Sequence, residues 1–265
     1  IGDTLTAASD PTPLEYVDLD KPTIAMYFRV NNSPFAGLEG KFVTSNQIKD
    51  RLEREVRTNV AMRVEATDSP DVFKVSGRGE LQMAILIETM RREGFEFSVS
   101  RPEVLFQEID DVIHEPVEEV VVDVLTDYSN KVIDNLQKRK GIMQGMSQEG
   151  ENNRIEFRVP SRGLIGFRGE MLTETRGTGI MHQQFDGYEP YAGEIPGRTR
   201  GALIALEKGD VTGYALEGVQ DRGTFFVEPG DSVYMGMVVG TNNRSDDMVV
   251  NVAKKKALTN HRASP

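Results

Sequence analysis

The residues of this chain whose types could do chemistry are its three histidines, His114, His182 and His261, a set of arginines beside glycines, and a run of lysines at 254–256. The histidines lie far apart in sequence. None sits in an HxxxH or HxxE spacing that would place two ligands on one helix face. Each is expected to be structural or exposed rather than metal-binding. Nucleophilic chemistry lacks its signatures too: the chain has no cysteine and no GxSxG, and Ser161-Arg162-Gly163 is not a nucleophile elbow. Acidic residues are plentiful but fall mostly on solvated helix faces, and spacing alone pairs no two of them across a cleft. The expected catalytic set and the expected metal set are both empty.

Nucleotide binding lacks its usual motifs as well. There is no GxxxxGK[ST], and Gly77-Arg78-Gly79 lacks the third glycine of a dinucleotide fingerprint. What such Gly-Arg turns can do is offer backbone N–H groups and a guanidinium to a phosphate at a helix start. The competing reading is a tight turn with a solvated arginine. Ser161-Arg162-Gly163, Arg168-Gly169 and Arg198-Thr199-Arg200-Gly201 repeat the pattern. Lys254-Lys255-Lys256, continued by Asn260 and Arg262, is the densest basic stretch. Separate basic loops suit recognition of structured RNA through its shape and phosphates. The expected RNA-contacting residues are Lys254, Lys255 and Lys256, with Arg78, Arg162, Arg168, Arg198 and Arg200 as secondary contacts.

Composition bounds these readings. A length of 265 residues accommodates two or three domains with cores of their own. The chain is 38% hydrophobic and 28% charged, as expected of a soluble globular protein; no apolar run approaches a membrane span and no signal segment is visible. A cytoplasmic protein that binds neither membrane nor DNA is expected. With 31 Lys and Arg against 42 Asp and Glu the net charge is -11, which disfavours indiscriminate binding to nucleic acid and confines any RNA contact to local patches.

The elements that must position these loops follow from periodicity. Residues 1–20 are rich in Pro, Asp and Thr and read as the end of another domain plus a linker. Residues 24–30 read as a strand. Thr44 with Gln47 forms a capping-box pattern ahead of a helix over 45–58. Strands over 60–66 and 72–76, a helix over 81–92 and a strand over 95–100 complete a βαββαβ order. A linker is expected over 110–116, and then the order repeats: strand 117–125, helix 129–140, hairpin 142–146 with 154–159, helix 166–176, strand 180–186. Two βαββαβ units in tandem predict an α+β fold of two ferredoxin-like domains, over 21–109 and 110–191. From 192 the helical period disappears, and an all-β, incomplete domain over 192–265 is expected.

Several stretches resemble the TypA/BipA family of translational GTPases. They are Val30-Asn31-Asn32-Ser33-Pro34-Phe35-Ala36-Gly37, Glu39 to Ser45, Val75 to Leu81, Pro160 to Arg168, Gln220-Asp221-Arg222-Gly223, and Lys255 to Ser264. The resemblance implies a ribosome-dependent GTPase whose nucleotide domain, with its GTP and Mg, lies outside this chain, so that no cofactor is expected here. Ile1 to Leu5 would close the preceding β-barrel domain. Residues 21–109 and 110–191 would correspond to domains III and V of elongation factor G, and 192–265 to a family-specific domain. It further implies a role in large-subunit assembly and stress-adapted translation. The expected partners are the ribosome, its large-subunit rRNA and A-site tRNA, with the chain itself monomeric. By motif match Thr259, Asn260, Arg262 and Ser264 join the three lysines as RNA-binding positions. His261 departs from the family pattern, which carries an apolar residue there. The reading kept beside this one is a regulatory protein that senses a small molecule between tandem ferredoxin-like domains.

Overall fold

A computed structural model describes residues 6, 7, 9, 12, 22–195, 197 and 200–256. The chain forms two compact units, 1–195 and 196–265. The first 20 residues, expected to belong partly to another domain, lie largely outside the described residues.

The first unit holds two sheets. In the first, β1 (Ile24–Arg29), α1 (Ser45–Thr58), β2 (Arg63–Ala66), β3 (Val72–Gly77), α2 (Glu80–Arg92), β4 (Ser98–Val99) and β5 (Glu103–Val104) follow in order. The sheet runs β2-β3-β1-β4, with β5 also on β1, and every pairing is antiparallel. Alternation along β1 turns Ile24, Met26 and Phe28 inward, where they meet Phe73 and Val75 of β3. Ile48 and Leu52 of α1 and Met83, Leu86 and Met90 of α2, spaced for one helix face, complete this core. The capping box holds: the Gln47 side chain accepts the Thr44 N–H at 3.1 Å.

The expected strand over 95–100 shrinks to two residues. The Gly94 carbonyl accepts the amides of Lys41 and Phe42, and the Glu96 amide donates to Phe42, so this backbone pairs with the preceding loop instead of with β1.

The second sheet contains β6 (Gln107–Ile109), β7 (Val112–Leu125), α3 (Ser129–Lys138), β8 (Ile142–Glu149), β9 (Asn152–Pro160), α4 (Ser161–Leu164), α5 (Phe167–Glu174) and β10 (Ile180–Pro190). Its order is β10-β7-β9-β8, with β6 on the end of β7. Both strand orders fit a ferredoxin-like arrangement within a mixed α+β protein. Val120, Val122 and Val124 face Ile155, Phe157 and Val159 under Val132, Leu136, Phe167 and Met171.

Two expectations are corrected here. The linker placed at 110–116 is a hairpin: Asp110 and Asp111, with φ of 51° and 60°, make the two-residue turn that joins β6 to a longer β7. Pro116 is tolerated because β7 pairs there with Tyr188 of β10, beyond the last rung to β9. The helix placed at 166–176 is α5, Phe167–Glu174, and a helical turn that the spacing did not show, α4, precedes it, the two separated by Gly166 with its left-handed φ of 73°.

The second unit comprises β11 (Ala202–Ala205), β12 (Gly209–Asp210), α6 (Gly213–Val219), β13 (Gly223–Phe225), β14 (Ser232–Val233), β15 (Val238–Asn242) and β16 (Met248–Val250). Its sheet runs β13-β15-β11-β16, and β12 pairs with β14. Leu203, Val211, Val233, Val239, Val250 and Val252 make its core. The unit is not all-β. Thr212 caps the short α6 through its Oγ1, which accepts the Ala215 N–H at 3.1 Å. Seven residues carrying Gly213 and Gly218 are too short and too glycine-rich to show a helical period.

Candidate nucleic-acid interface

The lysine run begins where β16 has ended. Val252 is buried, and its carbonyl accepts the Thr212 N–H at 3.0 Å. The Lys254 carbonyl then accepts the Thr212 hydroxyl at 2.6 Å, and the Ala253 N–H donates to Asn251 Oδ1 at 3.0 Å. Thr212 therefore fixes the start of α6 and the root of the basic run together. Lys254, Lys255 and Lys256 are exposed. Three cations thus leave a hydrogen-bonded corner of the fold with their head groups in solvent. Thr259, Asn260, Arg262 and Ser264 lie outside the described residues, as does Arg198.

The other arginines are scattered. Arg200 is exposed just before β11, whose residues pair in parallel with β16, Leu203 with Met248 and Ala205 with Val250. Arg200 and Lys254 therefore sit towards opposite ends of this strand pair. Arg168 is exposed on α5. Arg78 is half-buried between β3 and α2; its N–H donates to Gln82 Oε1 at 2.9 Å and its carbonyl accepts the Thr23 hydroxyl at 2.9 Å.

Arg162 does not fit the role of a phosphate contact. Its Nε donates to Glu115 Oε2 and its Nη2 to Glu115 Oε1 at 3.1 Å, while Nη2 also reaches the Gly193 carbonyl. The guanidinium carbon lies 4.5 Å from the Tyr191 ring centroid. Glu115 is only 1% exposed, and it also accepts the Ala192 N–H at 2.8 Å. The Gly-flanked arginine that resembled an RNA contact is turned inward to neutralise a buried carboxylate.

Two further carboxylates carry structure that spacing did not reveal. Glu96 accepts from Gly37 N–H at 2.7 Å, Gly40 N–H at 3.0 Å, Glu39 N–H at 3.2 Å and Asn31 Nδ2 at 2.8 Å. These donors, Gly40 foremost, hold its carboxyl down at about 2. Burial pushes the Glu118 carboxyl of β7 upward instead. The Glu39–Gly40 and Gly37 signals were legible as motif residues, but the acid that gathers them lies far along the chain. His114 Nδ1 sits 2.9 Å from the Val112 carbonyl. Among the described residues no group of three or more His, Cys, Asp or Glu is placed to hold a metal ion, and no helix is long and apolar enough to cross a membrane.

Comparison with known proteins gives two family matches. Residues 200–265 match the TypA/BipA C-terminal domain, and residues 112–199 match the elongation factor G C-terminus. Proteins named large ribosomal subunit assembly factor BipA are similar to the whole chain. Those of Bacillus subtilis (strain 168) and Synechocystis sp. are each 50% identical over 266 aligned residues, and that of Salmonella typhimurium is 47% identical. In each case the alignment covers 100% of this chain and 44% of the relative. The chain thus spans less than half the length of the curated relatives it matches.

Proposed function

From the premise that the chain belongs to the TypA/BipA family, over a stretch that includes the family's C-terminal domain, we propose that it is a ribosome-binding part of a translational GTPase. Its role is to dock on large-subunit rRNA and A-site tRNA during subunit assembly and stress-adapted translation in the cytoplasm. The similar proteins are named for large-subunit assembly, which supports the ribosome as the partner. In this reading the residues present do not hydrolyse GTP, and the chain works as a monomer made of two ferredoxin-like domains and a family-specific one. The observation that carries the proposal is the exposed Lys254-Lys255-Lys256 run on its Thr212-anchored corner, in a chain whose net charge is -11. A local cluster of this kind can neutralise phosphates where the rest of the surface repels them.

Co-sedimentation with purified large subunits across a salt series tests it. Binding is expected at low salt, and the logarithm of the affinity should fall linearly with the logarithm of the salt concentration. Replacing the three lysines by alanine should flatten that slope by roughly 0.9 for each phosphate that is no longer neutralised. An absence of binding at low salt, or a slope that the triple variant leaves unchanged, would contradict the assignment.

A further inference from the structure

A cleft of about 510 Å³ opens within the first unit, where the start of α2 faces α4 and α5. Its walls are apolar: Met26 of β1, Met83 and Ile87 of α2, and Leu164 of α4. Its floor is polar, formed by the buried Glu118 of β7 and Ser161 of α4, with the exposed Gln183 of β10 beside them. Glu118 is 5% exposed and Ser161 3% exposed. The Ser161 hydroxyl lies beside the Glu118 carboxyl but makes no hydrogen bond of normal geometry. At the mouth stand the exposed Arg168 and the Glu80 carboxylate.

Two contacts join the walls of this cleft. Glu80 Oε2 accepts the Gly166 N–H at 2.9 Å, and Ile165 packs against the core of the first sheet. The two walls are thus tied to each other at one end. A pre-formed apolar cleft of this size, with a few convergent polar groups and a buried hydroxyl beside a buried carboxyl, has the makings of a small-molecule site. We propose that the cleft binds a small aromatic anion, its rings against Met26, Met83 and Ile87, a hydrogen-bonding group on the Glu118–Ser161–Gln183 floor, and its negative group beside Arg168. The Glu118 carboxyl lies at the buried end of the cleft, away from the exposed Arg168 at which the negative group is placed. Glu80 is engaged with Gly166, which moderates its repulsion of the anion.

Two fluorescent probes of nearly the same shape test the site. One is 1-anilinonaphthalene-8-sulfonate, and the other is its uncharged counterpart N-phenyl-1-naphthylamine. Both should bind saturably to the folded chain. Ala84→Trp, at an exposed position on the cleft wall, should weaken both at least tenfold. Arg168→Gln should weaken the sulfonate about threefold to fivefold, the upper range of an exposed ion pair, and leave the neutral probe unchanged. With ¹³C-methyl methionine, the Met26 and Met83 signals should shift along the same titration, while those of the exposed Met143, Met146 and Met235 stay in place. The methyl measurement needs no variant, so it decides the matter even if Ala84→Trp unfolds the chain. Shifts confined to the exposed methionines, or the absence of saturable shifts at Met26 and Met83, would overturn the proposal.

Discussion

At the scale of single residues, charge partners separate the arginines that hold the fold from those left in solvent. Arg162 and Arg168 look alike in sequence, each beside a glycine in the same short segment. Arg162 is bound to a carboxylate 47 residues earlier in the chain, a separation that no local pattern reports. Removing one member of a buried ion pair strands the other, so Arg162→Ala should cost about 3–5 kcal/mol, whereas Arg168→Ala on the surface should stay within about 0.5 kcal/mol. Urea unfolding of the two variants measures the difference, and equal midpoints would show that Glu115 finds another partner. Glu96 gives a second case with a defined pH window. Its carboxyl is held at about 2 against an ordinary 4.5, so its stabilisation is complete above about 4.5 and disappears as the pH falls towards 2. The stability gap between the parent and Glu96→Gln should therefore be widest near neutral pH and narrow steadily on acidification. A gap that is independent of pH would mean that the four donors around Glu96 do not depend on its charge.

At the scale of elements, what was legible was the long periodic pieces, and what was hidden was backbone meeting backbone. The helix over 45–58 emerged with its capping box because apolar spacing and the Thr44–Gln47 pair point the same way. The hairpin at Asp110–Asp111 was hidden because two adjacent aspartates and a nearby proline read as a linker, although both aspartates can take the left-handed turn conformation. Gly223 illustrates the same limit. It opens β13, and a Cβ there would lie 1.9 Å from the Thr241 carbonyl oxygen of β15, a rigid neighbour that cannot step aside. Gly218, near the end of α6, is exposed and would meet nothing within 4 Å. Gly223→Ala should destabilise by more than about 2 kcal/mol, and Gly218→Ala should stabilise by up to about 1 kcal/mol by stiffening the unfolded chain. Both follow from thermal or urea unfolding, and a tolerated Gly223→Ala would require β13 to move off β15.

At the scale of the whole molecule, the two compact units each enclose cores of their own: two clusters under the paired sheets of residues 22–195, and a third around Leu203, Val239 and Val250. Helical periodicity stops near 192, and the compact units divide after 195. The cleft and the Arg162–Glu115 pair were not legible at this scale, since both depend on how elements far apart in sequence pack. A chain whose cores are separate need not unfold in one step. Calorimetry should resolve two transitions, one for each unit. Gly223→Ala should lower only the transition of the second unit, and Arg162→Ala only that of the first. The three-lysine variant should move neither, because exposed cations contribute little to stability. If Gly223→Ala and Arg162→Ala instead shift one common transition together, the units unfold cooperatively. A weakened affinity for ribosomal particles in either variant would then no longer report on one unit alone, and only the surface lysine substitutions would isolate the RNA contact.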